Sequence, residues 1–228
     1  MGCFDVRRLS PPLCGDKLMS PIASLSVLEI IGVVSFALLG AHTAVQRRMD
    51  LFGITILAFT AACGGGVLRD VVMDRGIPVF FSNYQTVLIV MLSVAAVVAV
   101  PQLFRVQWLL IVLDAMGLSF FAVDAGIKAI YLHYNFMQFL FAAVITGIGG
   151  GILRDLLAQR VPVIFRHDIY ALAAIVGCSF LWFARGMIGL GPAAYSALFI
   201  ILAVRLVSVY FNINLPLVKI AEIRKGGR

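Results

Sequence analysis

The amino-acid sequence predicts an all-α membrane protein with seven transmembrane helices, arranged as two inverted three-helix repeats followed by a seventh helix. The first observation behind this prediction is composition: 62% of the 228 residues are hydrophobic and only 13% are charged. A soluble protein of this size needs more charge to cover its surface, so lipid is the solvent that suits such a chain. The second observation is a duplicated motif, GGGVLRD at residues 64–70 and GGGILRD at residues 149–155.

Seven apolar stretches are each close to the roughly 20 residues that cross a hydrocarbon core. In chain order they cover residues 25–45, 52–73, 85–104, 108–131, 136–158, 168–186 and 193–211. Glycine and proline inside a stretch are compatible with a membrane helix, because neighbouring helices can satisfy the freed backbone groups. The predicted organisation is a first repeat at 24–107, a second repeat at 108–190 and a seventh span at 191–215.

The two chain ends are polar, and the charges between the spans predict the orientation. Residues 1–23 form a proline-rich polar tail without the apolar core of a signal peptide, and residues 216–228 form a basic tail. The connections after spans 1, 3 and 5 and the C-terminal tail carry more lysine and arginine than the opposite side. The positive-inside rule therefore predicts a cytoplasmic C-terminus and an N-terminus on the outer side.

An internal repeat relates spans 1–3 to spans 4–6 at an offset of 85 residues. Besides the duplicated motif, Gly32 pairs with Gly117 and Phe36 pairs with Phe121. Because each copy has an odd number of spans, the second copy must enter the membrane from the opposite side. The copies are therefore predicted to be inverted, with a functional site near the bilayer midplane between them.

Each copy of the motif begins with three consecutive glycines inside a predicted membrane helix. The six residues are Gly64, Gly65, Gly66, Gly149, Gly150 and Gly151. Each glycine gives up about 1 kcal/mol of helix propensity relative to alanine. Two benefits can offset this cost: close approach of another helix, or a break that turns free carbonyls towards a wet pathway. Because matching interruptions in two repeats indicate a transport site, we expect the glycines to break spans 2 and 5.

An arginine–aspartate pair closes each copy of the motif, Arg69-Asp70 in the first and Arg154-Asp155 in the second. One interpretation is a cap at the helix end, with the arginine reaching the lipid headgroups and the aspartate paired to a cation. The other interpretation turns each arginine back towards the glycines or into a salt bridge between the repeats. Both interpretations stay open at the level of sequence.

Charges inside the predicted spans are costly in lipid and therefore mark protein-lined or wet positions. Asp124 and Lys128 are four residues apart in span 4, so they can pair on one helix face, and Asp114 precedes them in the same span. Glu29 in span 1 is the repeat counterpart of Asp114, whereas no charge stands opposite Asp124 or Lys128 in the repeat. A structural ion pair and a pathway-facing pair are both open, and Lys128 is a candidate gate.

Several function classes lack the residues that they need. The four cysteines and three histidines are scattered without metal-ligand spacing. The net charge of +7 resides mostly in short segments between spans, not in a basic stripe interleaved with aromatics, which argues against nucleic-acid binding. Since no nucleophile–base set or cofactor fingerprint is evident, we expect neither an enzyme nor a bound cofactor.

The doubled GGGxLRD-type motif, the repeated three-span unit and the added seventh span resemble a prokaryotic member of the trimeric intracellular cation channel family. The resemblance covers residues 25–215. It implies a homotrimer in a bacterial or archaeal inner membrane, with one potassium- and sodium-conducting pore between the repeats of each subunit. It also implies kinks of spans 2 and 5 at the glycine triplets and a part for Lys128 in gating. Animal members bind inositol phospholipid, so anionic lipids are candidate partners, with no residue assigned to that contact.

Two functions compete at this level. The leading hypothesis is a passive channel for monovalent cations, in which carbonyls at the breaks and carboxylates of Asp114, Asp124 or Glu29 attract a partly hydrated ion. Neither triplet resembles a TVGYG filter, so sharp potassium selectivity is not expected. The alternative is a secondary transporter of a small amino acid such as glycine, a label also given to such bacterial sequences, which requires alternating access.

Overall fold

The computed structural model describes residues 27–73, 84–102, 104, 106–162, 164 and 169–211. Within these residues there are seven α-helices and no strand. They are α1 (Val27–Gln46), α2 (Leu51–Val72), α3 (Tyr84–Ala99), α4 (Gln107–Tyr131), α5 (Phe136–Leu157), α6 (Ile169–Ile188) and α7 (Leu190–Tyr210). The predicted all-α, seven-helix chain is confirmed; six of these helices are long and apolar enough to cross a membrane, and α3 is shorter. The polar tails predicted at 1–23 and 216–228 lie outside the described residues.

Equivalent tight turns join α1 to α2 and α4 to α5. Arg48 and His133, which are repeat counterparts, both adopt the left-handed backbone conformation, with φ of 57° and 55°. Two residues later, the Asp50 carboxylate accepts a hydrogen bond from the Gly53 backbone N–H at 2.7 Å, and Asn135 caps α5 in the same way. These side chains satisfy N–H groups that a helix start leaves open, so α2 and α5 begin directly after their turns.

Reciprocal glycine–phenylalanine contacts show that the two repeats are inverted. A Cβ built on Gly32 of α1 would lie 3.1 Å from the Phe121 ring of α4, and one built on Gly117 of α4 would overlap the Phe36 ring of α1. Residue numbers rise along α1 as those of the contacted residues fall along α4, so these equivalent helices run antiparallel. Phe36 and Phe121 also contact each other, with ring centroids 5.4 Å apart. A pseudo-two-fold axis therefore passes between α1 and α4.

The glycine triplets lie where α2 crosses α5, and they correct one expectation from the sequence. Both helices run without interruption through their triplets. A Cβ on Gly65 would overlap the carbonyl oxygen of Thr146, and a Cβ on Gly150 would overlap that of Ala61. The lost helix propensity is therefore offset by close backbone contact between two helices. The expected break in spans 2 and 5 is not present, because the glycines serve helix packing.

α7 completes the bundle by packing against α6 and α4. Gly177 of α6 permits the close approach, since a Cβ there would overlap Ile201 of α7. Large apolar side chains on the outer faces remain exposed, including Phe52 (74%), Phe183 (68%) and Phe199 (67%). Such faces suit hydrocarbon and not water, so the chain is an integral, multi-pass membrane protein.

Candidate functional site

Two polar cavities lie between the inverted repeats, one towards each end of the bundle. The lysine cavity, of about 40 Å³, is lined by charged side chains of α1, α2 and α4: Glu29, Arg69, Asp70, Asp124 and Lys128. The arginine cavity, of about 360 Å³, has a polar wall that includes Thr43, Asp114, Arg154, Arg160, Arg205 and Ser208. Glu29 lies near the start of α1 and Asp114 near the start of α4, so antiparallel α1 and α4 place the cavities at opposite ends.

Lys128 lies between two carboxylates in the lysine cavity. Its Nζ is 2.6 Å from Glu29 Oε2 and 2.7 Å from Asp124 Oδ2. Asp124 is one helical turn away on α4, as its spacing predicts, whereas Glu29 comes from α1 and joins the first repeat to the second. The two short contacts compensate for holding an ammonium group inside a membrane span.

The motif arginines turn back towards their own glycine triplets and are held by the aspartates that follow them. Arg69 donates from Nε to Asp70 Oδ1 at 2.9 Å, and Arg154 makes the equivalent 2.9 Å bond to Asp155. A Cβ on the last glycine of either triplet would lie 3.9 Å from Nη2 of the arginine. Both arginines are buried inside the protein, which favours the interpretation that turns each arginine back towards the glycines.

Asp114 lies between two guanidinium groups in the arginine cavity. Its Oδ1 is 3.5 Å from Arg154 Nη1 and its Oδ2 is 3.5 Å from Arg205 Nη2. These separations exceed the roughly 2.7–2.9 Å of a charge-assisted hydrogen bond. Asp155, by contrast, accepts hydrogen bonds of 2.9 Å from Nε of both Arg154 and Arg160. Asp114 is therefore loosely shared, whereas Asp155 is tightly bound.

Sequence reasoning missed several residues of this cavity, among them Thr43, Arg160 and Arg205. Arg160 Nη2 donates a hydrogen bond to Thr43 Oγ1 at 3.1 Å. The two residues are 117 positions apart in the chain, so no local sequence pattern predicts this contact. Arg205 did carry a signal, because it is the single charge in the apolar stretch 193–211. A charge in such a stretch must be paired or must face a cavity.

The two cavities carry opposite excess charge and are separated by a pair of aromatic rings. Among the described groups, the lysine cavity has three carboxylates and two cations, whereas three guanidinium groups face two carboxylates around the arginine cavity. Phe36 and Phe121 are buried between the cavities, at the middle of α1 and α4. The described His, Cys, Asp and Glu side chains form no group of three that could hold a metal ion. The interface between the repeats therefore holds two oppositely charged cavities, with buried aromatic rings near its middle.

A family model described as Glycine transporter matches the chain twice, at residues 26–102 and 111–185. The two matches correspond to the two inverted repeats. The UPF0126 inner membrane protein YadS of Escherichia coli (strain K12) is 36% identical over 197 residues, covering 83% of this chain and 93% of that protein. The UPF0126 membrane protein YvgT of Bacillus subtilis (strain 168) is 33% identical over 192 residues, covering 83% of this chain and 94% of that protein.

Solved structures share the fold over most of their length. A TRIC cation channel superposes with a TM-score of 0.78 at 29% identity, covering 86% of this chain and 97% of that one. The TRIC trimeric intracellular cation channel orthologue from Rhodobacter sphaeroides gives a TM-score of 0.77 at 27% identity, covering 82% and 97% of the two chains. Both neighbours are described as channels and not as enzymes.

Proposed function

We propose that this chain, which belongs to the family described as Glycine transporter and represented by the UPF0126 membrane proteins, is a potassium-permeable channel for monovalent cations. The resemblance to trimeric intracellular cation channels that the doubled motif indicates is confirmed by the structural neighbours. The observation that carries the proposal is the pair of charged cavities at opposite ends of the interface between two inverted repeats. Transport sites in inverted-repeat proteins lie at that interface, near the midplane.

Side-chain carboxylates attract the cation in this proposal. α2 and α5 are unbroken at their triplets, so carbonyl groups freed by a helix break do not line the path. Glu29, Asp70 and Asp124 give the lysine cavity its excess negative charge. In a narrow space with low-dielectric walls, that charge concentrates cations and repels anions. The discrimination is by charge, so sodium passes as well as potassium.

Lys128 and the Phe36–Phe121 pair together close the path. The Lys128 ammonium occupies the Glu29 and Asp124 carboxylates that a permeating cation would otherwise contact, so it obstructs the path by competing for that position. The same ion pair joins α1 to α4, and the two rings belong to those helices. A shift of one repeat against the other would therefore release Lys128 and separate the rings in one motion.

Assembly and orientation complete the proposal. By analogy with the trimeric neighbours, three copies associate in a prokaryotic inner membrane, each with its own path. Anionic lipids are candidate partners of this assembly. The distribution of basic residues places the N-terminus outside and the C-terminus in the cytoplasm. In this orientation the arginine cavity faces the cytoplasm, because α1 ends and α4 begins on that side.

Potassium flux from liposomes tests the proposal. Purified protein is reconstituted with an outward potassium gradient, and the rate of efflux is followed as the internal potassium concentration is raised. The expected result is fast flux that does not saturate, faster still for Lys128→Gln and unchanged for the control Arg185→Gln, whose guanidinium lies over the Trp182 ring away from both cavities. Flux no greater than that of empty liposomes would refute the proposal.

The description of the family favours a second function, transport of glycine. A transporter needs a site that is open to each side in turn, and the two separated cavities are compatible with that requirement. The same liposomes distinguish the two functions. Saturable uptake of labelled glycine in fixed stoichiometry with an ion would support the transporter and contradict the channel.

A further inference from the structure

We propose that the arginine cavity binds a small carboxylate anion, held chiefly by Arg205 of α7. The cavity has a volume of about 360 Å³ and lies among α1, α4, α5 and α7. That volume admits a small organic anion, which the 40 Å³ of the lysine cavity does not. Its polar wall offers hydroxyl and amide groups as well as charges, including Thr43, Gln46 and Gln107.

Arg205 is a buried cation that uses little of its hydrogen-bonding capacity within the described part of the chain. It is 4% exposed, and its Nε and Nη1 have no hydrogen-bond partner among the described residues. Its Nη2 is 3.5 Å from Asp114 Oδ2, and its guanidinium carbon lies 4.7 Å from the centre of the Tyr170 ring. A buried charge with so few partners is costly, so its surroundings favour an incoming acceptor.

The local charge balance selects an anion. Asp155 is taken up by Arg154 and Arg160, and Asp114 is shared between Arg154 and Arg205. Three guanidinium groups thus face two carboxylates among the described residues, and one negative charge restores neutrality. A carboxylate supplies that charge with two oxygens in the plane that the guanidinium fork recognises. Rotation of the Arg205 guanidinium away from the Tyr170 ring brings its free N–H groups to the ligand.

The anion would also regulate conduction, a consequence that rests on the proposed channel function. The excess positive charge of the arginine cavity opposes passage of a cation through that end of the path. A bound carboxylate cancels this charge and leaves the path neutral there. The anion is therefore an activating ligand, whereas its binding does not itself depend on conduction.

Thermal stability of the purified full-length protein in detergent tests the site, with potassium acetate as the probe. Acetate is titrated against potassium chloride at constant ionic strength, and the unfolding temperature is followed. A ligand that binds the folded state raises this temperature in a saturable way. Arg205→Lys keeps a positive charge beside Asp114 but lacks the fork, so it should weaken the apparent acetate affinity by about tenfold or more. Arg160→Gln, at a more exposed position of the same cavity, should weaken it as well, and the control Arg185→Gln should not.

The possible results distinguish failure of the proposed anion site from failure of the proposed channel function. Absence of a saturable rise in the wild-type protein would overturn the site. Acetate affinity equal to that of the wild-type protein in both Arg205→Lys and Arg160→Gln would overturn it as well. A rise seen only with phosphatidylglycerol in mixed micelles, and lost in Arg205→Lys, would also overturn it and assign the cavity to a lipid headgroup. Acetate binding without potassium flux in liposomes would refute the channel and leave the anion site standing. Potassium flux without acetate binding would refute the anion site and leave the channel standing.

Discussion

Alanine at Gly65 and alanine at Gly66 should have opposite effects on stability, although the two positions are adjacent in one helix. Both substitutions gain about 1 kcal/mol of helix propensity. At Gly65 the new Cβ would overlap the Thr146 carbonyl oxygen of α5. At Gly66 the nearest atom beyond the adjacent residues and the local α2 backbone is Arg69 Nη2, at 3.9 Å. Overpacking of this kind costs about 1–3 kcal/mol, and a backbone oxygen that cannot rotate away places Gly65→Ala at the upper end. The propensity gain is common to both variants, so their difference, about 2–3 kcal/mol, measures the α2–α5 contact.

The assay is the unfolding temperature of each purified variant in the same detergent. For a chain of this size, 1 kcal/mol corresponds to about 2–4 °C, so Gly65→Ala should unfold several degrees below Gly66→Ala. Gly150→Ala should behave like Gly65→Ala, because its Cβ would overlap the Ala61 carbonyl oxygen. Equal unfolding temperatures for Gly65→Ala and Gly66→Ala would refute the packing interpretation of the triplets.

Three further substitutions test the charged path and its constriction. Lys128→Gln should lower stability by about 3 kcal/mol, because it leaves the Glu29 and Asp124 carboxylates without their shared cation. The same variant should raise potassium flux, and an unchanged flux would show that Lys128 has no part in gating. Asp114→Asn should cost about 3–5 kcal/mol in a denaturation experiment, since two buried guanidinium groups lose the carboxylate between them, and an unchanged unfolding transition would contradict this. Phe36→Ala should cost about 3–5 kcal/mol as a fully buried ring is removed, yet it should increase flux in the protein that folds; flux at the wild-type level would place the path elsewhere.

The helices were predictable from sequence because lipid demands long apolar stretches. The predicted span at 52–73 and the observed helix Leu51–Val72 differ by one residue at each end. The third span was predicted to reach residue 104, whereas α3 ends at Ala99. Pro101 accounts for this difference, because a proline disfavours helical conformation in the residue before it. Hydropathy averages over a window and does not register that single backbone constraint.

The inversion was also predictable, but the use of the glycines was not. Counting three spans in each repeat is enough to fix opposite directions, and the Gly32–Phe121 and Gly117–Phe36 contacts agree with it. However, glycines that allow close helix packing and glycines that break a helix lose the same helix propensity at the same positions. The sequence therefore does not distinguish the two uses. The choice between them depends on the Thr146 carbonyl of another helix, which no local pattern reveals.

Only some of the ion pairs were predictable from the sequence, because the others join residues that are far apart in the chain. The spacing of Asp124 and Lys128 placed them on one helix face, and the structure joins them at 2.7 Å. The second carboxylate on Lys128 comes from Glu29, 99 residues away, and only the packing of α1 against α4 makes that contact. Long-range partners of this kind follow from the tertiary structure. The sequence alone therefore identifies Glu29 and Lys128 as candidates but does not show that they form an ion pair.

Single-channel recording of the purified wild-type protein in a planar bilayer, with a potassium chloride gradient across it, tests the central claim most directly. A cation path between the inverted repeats predicts discrete current steps that reverse close to the potassium equilibrium potential. Replacement of potassium by sodium on one side should then shift the reversal potential only modestly, because selection is by charge. Current that reverses near the chloride equilibrium potential, or a bilayer that stays silent while the same protein accumulates glycine in liposomes, would contradict the claim.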